Sequence, residues 1–272
     1  MDVVELEHFY AGPIGDVARR IVGRAIAASW TGRPPRSVLG LGYAGPYLDA
    51  AAAEASARRV AFMPAAQGVI GRIEASSLPA ALVAPDMLPL ADGAVDRVLA
   101  VHVLENVADA REVLSEVWRV LDPGGRLLLV CPNRGGLWAR LDTTPFGSGE
   151  PYSRSQLRRL LLECWFEPRS WAEVLYVPPL RSRILLSGAT AWERLGRQLR
   201  LPGAGLHVVD ATKQLHRPIP VRGRQVTVRR MPQLVPVGAT SREALDTASA
   251  ARGGTEIRPQ IASNRQQNSR VL

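Results

Sequence analysis

The residues best suited to chemistry in this sequence are a glycine cluster and a histidine, each directly after an apolar run of strand length. The cluster spans residues 40–46 and reads GLGYAGP. A glycine turn between a strand and a helix offers backbone N–H donors to a polar or anionic ligand. His102 follows the run Val95 to Val101 and adds a titratable ring. In an open α/β sheet, both groups would lie at the edge where ligands bind.

The element that positions His102 is the start of a strand–helix–strand unit. Its first strand, Val95 to Val101, is almost continuously apolar, which is typical of a strand buried on both faces of a parallel sheet. From Ala108 the apolar residues recur at helical spacing. Residues 122–125, DPGG, are predicted to stop the helix and turn the chain into the strand Leu127 to Val130. Such a unit is right-handed and belongs to a doubly wound α/β sheet.

Similar patterns predict helices and strands on both sides of this unit. The predicted helices are Val3–Tyr10, Pro13–Trp30, Tyr47–Arg58, Ser153–Phe166 and Ala189–Leu199. The further predicted strands are Ser37–Leu39, Arg59–Met63, Leu78–Ala84, Glu167–Val177 and Leu206–Lys213. The segment 178–205 before the last strand is interpreted either as a cap over the site or as a surface or interface helix.

The positive charge is confined to one end of the chain. Of the net charge of +9, residues 217–272 contribute +7 and residues 1–216 only +2. We therefore predict one domain over residues 1–216 and a basic, largely disordered tail over residues 217–272, whose arginines lack interleaved aromatic residues. A solubilising tail fits this pattern better than a nucleic-acid contact.

The same composition argues against membrane and metal sites. No apolar run approaches the ~18 residues that cross a bilayer, and the acidic start lacks a signal-peptide pattern, so we expect a cytoplasmic protein without a membrane partner. Cys131 and Cys164 are expected to be reduced thiols, and neither has the spacing partners of a metal site. The oligomeric state leaves no trace in the sequence.

Residues 86–125 resemble the class I S-adenosylmethionine-dependent methyltransferases, most closely the type 11 subgroup. That family has an acidic residue and an LPF turn before its fourth strand, a motif like HVLEH after it, and RVLKPGG at the end of the following helix. The matching residues here are Asp86, Leu88-Pro89-Leu90, Asp96, His102-Val103-Leu104-Glu105-Asn106 and Arg119-Val120-Leu121-Asp122-Pro123-Gly124-Gly125. A match of this length in a fixed order is far more specific than a glycine motif alone.

This resemblance implies a fold, a cofactor and a reaction. The fold would be a Rossmann-like, mostly parallel seven-stranded sheet with a leading helix beside the cofactor cleft and an antiparallel pair of strands at its end. The cofactor would be S-adenosylmethionine, and the reaction the transfer of its methyl group to an acceptor. We expect a small-molecule acceptor, because the sequence carries no Asn-Pro-Pro-Tyr-type motif of nucleic-acid methylation.

The resemblance also assigns roles to residues. Asp86 would accept a hydrogen bond from the adenine amino group and Met87 would pack on the ring, although an isolated loop aspartate can simply cap a turn. The other cofactor-binding positions would be Gly40, Gly42, Tyr43, Met63 and His102. His102 is also a weak candidate for a general base. Glu105 is expected to begin the next helix, where the dipole favours a carboxylate.

The glycine cluster departs from the methyltransferase pattern of an acid followed by G-x-G-x-G. Gly40 stands at the acid, Ala44 and Pro46 replace glycines, and Met63 ends the next strand without the acid that would bind the ribose. Residues 40–45 also fit the G-x-G-x-x-G dinucleotide fingerprint. Two alternatives therefore stay open: a methyltransferase fold that has lost turnover and acts as a binding or regulatory protein, and an NAD(P)-dependent oxidoreductase.

The loop after the fifth strand leaves the same edge of the sheet. Asn133, Arg134 and Trp138 could face a substrate there, and an arginine would suit a carboxylate or phosphate. The proline- and glycine-rich segment from Thr143 to Pro151 is long enough to form part of a lid.

Overall fold

The computed structural model describes residues 3–48, 57–65, 80–140, 144–179, 188–199 and 201–215. The chain divides into two units, residues 1–220 and 221–272, and every described residue belongs to the first. The predicted disorder of residues 217–272 lies outside the described residues and stays a prediction. None of the helices in the described ranges is long and apolar enough to cross a bilayer.

The described residues contain five helices and seven strands. The helices are α1 (Val3–Ala11), α2 (Pro13–Ser29), α3 (Ala110–Val120), α4 (Arg154–Glu163) and α5 (Ala189–Leu199). The strands are β1 (Ser37–Gly42), β2 (Arg58–Pro64), β3 (Ala80–Val83), β4 (Val95–Val101), β5 (Leu121–Pro132), β6 (Phe166–Val174) and β7 (Leu206–Lys213). Short 3₁₀ turns cover Gly45–Tyr47, Leu104–Asn106, Trp138–Arg140 and Pro145–Gly147.

The strands form one seven-stranded sheet in the order β3-β2-β1-β4-β5-β7-β6. The first five pair in parallel, and β7 is antiparallel to both of its neighbours. The predicted fold class, a doubly wound and mostly parallel sheet, is confirmed. The strand order reverses between β1 and β4: β2 and β3 are added on one side of β1, and β4 and β5 on the other. Ligands bind at this point in folds of this type.

Both faces of the sheet are buried, as the apolar runs predicted. Along β4 and β5 successive side chains alternate between two cores, because neighbouring residues of a strand point to opposite faces. One core contains residues of α1 and α2 together with Leu99, Val101, Leu128 and Val130. The other contains residues of α3 and α4 together with Val98, Ala100, Leu127 and Leu129.

Several predicted boundaries need correction. DPGG does not form a turn outside the sheet: β5 already begins at Leu121, and the pairing with β4 shifts register between Val95 and Arg97. The helix ends because Leu121 takes extended backbone angles, and the glycines lie inside the irregular start of the strand. β1 extends to Gly42, beyond the predicted end, because its glycines pair with β4. Arg58 begins β2 rather than ending a helix; most of that predicted helix, residues 49–56, lies outside the described residues.

Candidate active site

The glycine cluster brings β1 and β4 unusually close at their carboxyl ends. Gly42 has a φ of +74°, and a Cβ atom there would lie 2.4 Å from the carbonyl oxygen of Val101 and 2.4 Å from Cγ2 of Val103. The N–H of Tyr43 donates to the carbonyl of Val101 at 2.9 Å, so this donor is used by the sheet and not left for a ligand. A Cβ atom on Gly40 would lie 2.9 Å from side-chain atoms of the following turn. Gly40 and Gly42 therefore serve close packing between the strand and its turn.

His102 is held in place by contacts on every side of its ring. It is fully buried, and its backbone has a φ of +55°, which is uncommon for a residue with a Cβ atom. Nδ1 lies 2.8 Å from Oε1 of Glu105, and Nε2 lies 2.9 Å from the hydroxyl oxygen of Tyr10. The ring also stacks on Phe146, with centroids 5.1 Å apart and planes 22° apart. A strained backbone fixed by several contacts is typical of functional positions.

The expected role of Glu105 is wrong. Glu105 does not begin the helix after β4 but lies in the separate 3₁₀ turn Leu104–Asn106, and α3 starts at Ala110, capped by Asp109. The Glu105 side chain is fully buried beside His102, and its Oε2 atom has no hydrogen-bond partner among the described residues. The i,i+3 spacing of the histidine and the glutamate was the available signal for this pair.

Tyr10 was missed as a site residue because the sequence showed only an amphipathic helix there. Its ring stacks on that of Tyr43, with centroids 4.9 Å apart and planes 13° apart, and makes an edge contact with Tyr47. Burial raises the pKa of the Tyr10 hydroxyl well above its usual value, and the neighbouring Tyr47 adds to the effect. Tyr10 therefore keeps its proton and can donate it to a hydrogen bond.

The side chains of Tyr10, His102 and Glu105 form one chain of hydrogen bonds. With Glu105 as a carboxylate, which only accepts, Nδ1 of His102 is the donor. In the neutral imidazole the other nitrogen, Nε2, is then an acceptor, and the Tyr10 hydroxyl donates to it. A histidine oriented by a carboxylate on one side and facing a hydroxyl on the other can accept a proton at Nε2.

Asp86 and Met87 lie after β3, beyond β2 from the glycine cluster. They form a tight turn in which the Met87 N–H donates to the carbonyl of Ala84 at 3.0 Å. Asp86 is exposed, and no hydrogen bond or ion pair engages its side chain within the described chain. The Met87 side chain is 75% exposed. The Asp86 carboxylate can accept a hydrogen bond, and the exposed Met87 side chain can pack on a flat ring. Together they suit a planar ligand that has a hydrogen-bond donor at its edge.

The predicted site residues thus fall into two groups. Gly42, Tyr43 and His102 meet at the inner part of the edge, over β1 and β4, whereas Asp86 and Met87 lie at the outer part. Three strand spacings, about 14 Å in all, separate the ends of β3 and β4. Met63 is 4% exposed and packs in the core with the tyrosines, so it presents little surface to a ligand.

All three residues expected to face a substrate after β5 have structural partners, and for Arg134 the partner is Oε1 of Gln156, which accepts from Nη1 at 3.5 Å. The Asn133 side chain donates to the carbonyl of Ala204 at 2.9 Å, and its oxygen accepts from the N–H of Gly135. The Trp138 expectation is wrong: its ring is buried and donates to the carbonyl of Val177 at 2.8 Å, so it belongs to the core. Arg134 is exposed at this edge.

A separate cavity of about 640 Å³ lies at the opposite end of the strands, where β1 begins. Its lining includes three exposed arginines and the carboxylates of Asp96 and Asp122. Arg36 is already paired with both carboxylates. Because ligands of open α/β sheets bind at the carboxyl ends of the strands, this cavity is the weaker candidate.

The strand order argues against an oxidoreductase. A dinucleotide-binding dehydrogenase of the Rossmann type continues with parallel strands in the order 3-2-1-4-5-6. Here β7 enters antiparallel between β5 and β6. The fold is the Rossmann-like fold of methyltransferases.

Comparison with known proteins gives the same class. Residues 23–129 match the family model described as "Methyltransferase domain", type 11. A probable S-adenosylmethionine-dependent methyltransferase of Mycolicibacterium smegmatis is 39% identical over 82 residues, which cover 29% of this chain and 32% of the relative. A demethylmenaquinone methyltransferase of Thermus thermophilus is 34% identical over 116 residues, which cover 43% of this chain and 42% of the relative. The chain thus spans less than half the length of these curated relatives.

A solved structure extends the likeness over most of the described fold. A SAM-dependent methyltransferase of Thermotoga maritima, described as a possible histamine N-methyltransferase, superposes with a TM-score of 0.55 at 19% identity. The superposition covers 78% of this chain and 96% of that protein, which supports the fold. Residues 23–129 are thus similar to the type 11 methyltransferase domain, and the fold is that of class I S-adenosylmethionine-dependent methyltransferases.

Proposed function

We propose that this protein transfers a methyl group from S-adenosylmethionine to a small-molecule acceptor, in the crevice at the carboxyl ends of β1 to β4. The observation that carries the proposal is the position of the family match. Residues 23–129 contain the glycine cluster, Asp86 and His102. These residues lie at or after the carboxyl ends of β1, β3 and β4, and ligands of open α/β sheets bind at that edge, which supports the proposal. The bound cofactor would supply an activated methyl group, so the protein has to align the acceptor, exclude water and accept a proton.

The outer part of the crevice fits the adenine end of the cofactor. The Asp86 carboxylate is an open acceptor for an amino group, and the exposed Met87 side chain can cover one face of the ring. At the inner part, Gly40, Gly42 and Tyr43 would approach the remainder of the cofactor. Met63 and His102 complete the set of proposed contacts.

The inner part of the crevice fits the rest of the cofactor less well. The stacked rings of Tyr10 and Tyr43 fill the space over the ends of β1 and β4. No acid stands at Gly40 or Met63, where the family pattern has one. The cofactor would therefore bind there only after the Tyr10 ring moves.

A small-molecule acceptor is supported by the relatives. The Thermus thermophilus relative is named for demethylmenaquinone, a small molecule. In the described residues no group of three or more histidines, cysteines and acids could hold a metal ion, so metal-assisted activation of the acceptor has no visible site there. We further propose a cytoplasmic location.

The missing acids and the filled inner crevice favour one alternative. A methyltransferase fold that has lost turnover would still bind S-adenosyl compounds and would act as a binding or regulatory protein. Tight binding of S-adenosylhomocysteine without transfer of labelled methyl groups to any acceptor in a cell extract would support this second function.

The test is calorimetry with S-adenosylhomocysteine, S-adenosylmethionine and NAD(P). We expect the wild-type protein to bind both S-adenosyl compounds and neither nucleotide. Asp86→Ala should weaken the binding of S-adenosylhomocysteine by about 1–3 kcal/mol, the cost of leaving a buried amino group without its acceptor. Asp92→Ala is a matched control, because its side chain is 82% exposed and, among the described residues, bonds only to Arg119.

The outcomes separate the alternatives. A wild-type protein that binds NAD(P) and no S-adenosyl compound would disprove the proposed function. Equal affinities for Asp86→Ala and Asp92→Ala would remove Asp86 from the site but would leave the function standing.

A further inference from the structure

Tyr10 occupies the point of the sheet where a ligand is expected. Its ring stacks on Tyr43, the first residue after β1, and its hydroxyl donates to His102, the first residue after β4. The strand order reverses between these two parallel strands: β2 and β3 follow on one side of β1, and β4 and β5 on the other. A side chain from α1 thus bridges the ligand-binding point from inside the crevice.

Side-chain contacts hold Tyr10 in this position, and none of them belongs to the strand pairing of the sheet. α1 is nine residues long and is separated from α2 by Gly12 alone. Tyr10 reaches the strand ends through one hydrogen bond between neutral groups and through ring contacts, which a flat ligand can replace.

The other contacts of the His102 ring do not depend on Tyr10. Glu105 bonds to Nδ1 from a turn only three residues away, and Phe146 stacks on the ring. The left-handed backbone at His102 aims the ring toward α1. When Tyr10 leaves, Glu105 and Phe146 therefore keep Nε2 pointing into the crevice.

We propose that Tyr10 is an internal latch: a ligand at the β1–β4 crevice displaces its ring, and the methyl acceptor then replaces the Tyr10 hydroxyl as the partner of His102 Nε2. This inference rests on the proposed function and adds roles for Tyr10 and Glu105 to it. Glu105 positions His102, and His102 accepts the proton of the acceptor.

The proton step balances the transfer. The acceptor atom forms a bond to the methyl carbon, and the carbon–sulfur bond breaks with its electron pair left on sulfur. The proton of the acceptor moves to Nε2 of His102. The resulting imidazolium is paired with the Glu105 carboxylate, as in other histidine–carboxylate pairs.

The first test measures affinity for S-adenosylhomocysteine by calorimetry. A closed latch lowers the apparent affinity, since only the open fraction binds. Tyr10→Phe removes the hydrogen bond and keeps the ring, and we expect binding to tighten about 2- to 12-fold, equivalent to about 0.5–1.5 kcal/mol. The matched control is Tyr152→Phe, which loses a hydroxyl bonded to the Leu104 carbonyl at 3.3 Å and should bind like the wild type.

The second test observes His102 directly by ¹⁵N NMR of histidine-labelled protein. The chain has four histidines, and His102→Gln assigns the signal. In the wild type we expect saturating S-adenosylhomocysteine to shift the Nε2 resonance in the same direction as Tyr10→Phe does without ligand. Glu105→Gln should change the ratio of the two ring tautomers, which a purely structural role would leave unchanged.

The outcomes distinguish failure of the latch from failure of the function. If S-adenosylhomocysteine binds while Nε2 stays unshifted and Tyr10→Phe has wild-type affinity, the latch is wrong and the proposed function stands. If the wild type, Tyr10→Phe and Tyr10→Ala all fail to bind any S-adenosyl compound, both are overturned. A Glu105→Gln variant with an unchanged tautomer ratio removes Glu105 as the positioning residue.

Discussion

The two ends of the parallel strands are joined to their surroundings by different kinds of contact. At the amino ends, charged side chains bind backbone groups: the Asp96 carboxylate accepts from the N–H groups of Arg36 and Ser37 at 2.7 and 3.0 Å. Arg126 likewise donates to the carbonyl of Thr31 at 2.8 Å and pairs with Asp210. At the carboxyl ends of β1 and β4, the contacts that α1 makes are stacked aromatic rings and the Tyr10–His102 hydrogen bond.

This difference agrees with a structural role for the amino ends of the strands and with the proposed ligand site at their carboxyl ends. Charged contacts to the backbone hold the segment that leads from α2 into β1. Ring stacking and a hydrogen bond from a neutral hydroxyl can be exchanged for equivalent contacts with a ligand. The proposed displacement of Tyr10 involves contacts of this exchangeable kind.

The largest effect is expected where the carboxyl ends are most crowded. Gly42→Ala should lower the free energy of unfolding by about 3 kcal/mol or more, because it combines a left-handed backbone with overlap against Val101 and Val103. Gly124→Ala, at the start of β5, has a similar φ of +76° but nothing within 4 Å of the new Cβ, and should cost about 1 kcal/mol. Urea unfolding of both variants measures the difference, and equal losses would contradict the steric account of Gly42.

A smaller effect is expected at the amino ends, from Asp96→Asn. The amide oxygen keeps one acceptor, but the charge that strengthens the bonds from Arg36 and Ser37 is lost, so the free energy of unfolding should fall by about 1–2 kcal/mol. Burial acts to raise the pKa of Asp96, but hydrogen bonds from Arg36 and Ser37 outweigh it and hold the pKa below its usual value.

The lowered pKa of Asp96 makes its contribution depend on pH. A carboxyl whose folded pKa is depressed stabilises the fold above its unfolded pKa, about 3.9, and loses that contribution as the pH falls through the folded pKa. The wild type should therefore lose stability more steeply than Asp96→Asn between about pH 5 and pH 3. Parallel slopes in urea titrations over this range would contradict the assignment.

Much of the fold followed from local patterns. The bounds of β4, α5 and β7 agree with the apolar runs and periodicities that predicted them. The helix predicted from Ser153 is also present as α4, which begins with a capping box formed by Ser153 and Gln156. These features depend on residues close together in the sequence. The antiparallel end of the sheet followed instead from the family resemblance.

The inner site could not be predicted in the same way. Tyr10 and His102 are 92 residues apart, and a periodic helix does not reveal which of its residues will contact a distant strand end. Glu105 was misread because a carboxylate shortly before a helix usually serves the helix dipole. The three-residue turn that contains Glu105, ahead of α3, has no distinct pattern in the sequence.

The smallest effect on stability, and the sharpest test of the outer crevice, is expected from Met87→Ala. Because the side chain is 75% exposed, the free energy of unfolding should change by less than about 0.5 kcal/mol. If Met87 covers the adenine ring, affinity for S-adenosylhomocysteine should fall by about 1 kcal/mol through lost apolar burial. Leu82→Ala is the control, since Leu82 is also exposed, at 49%, but lies within β3 before the turn. Calorimetry that finds both variants equal to the wild type would leave the outer crevice without an adenine contact at Met87.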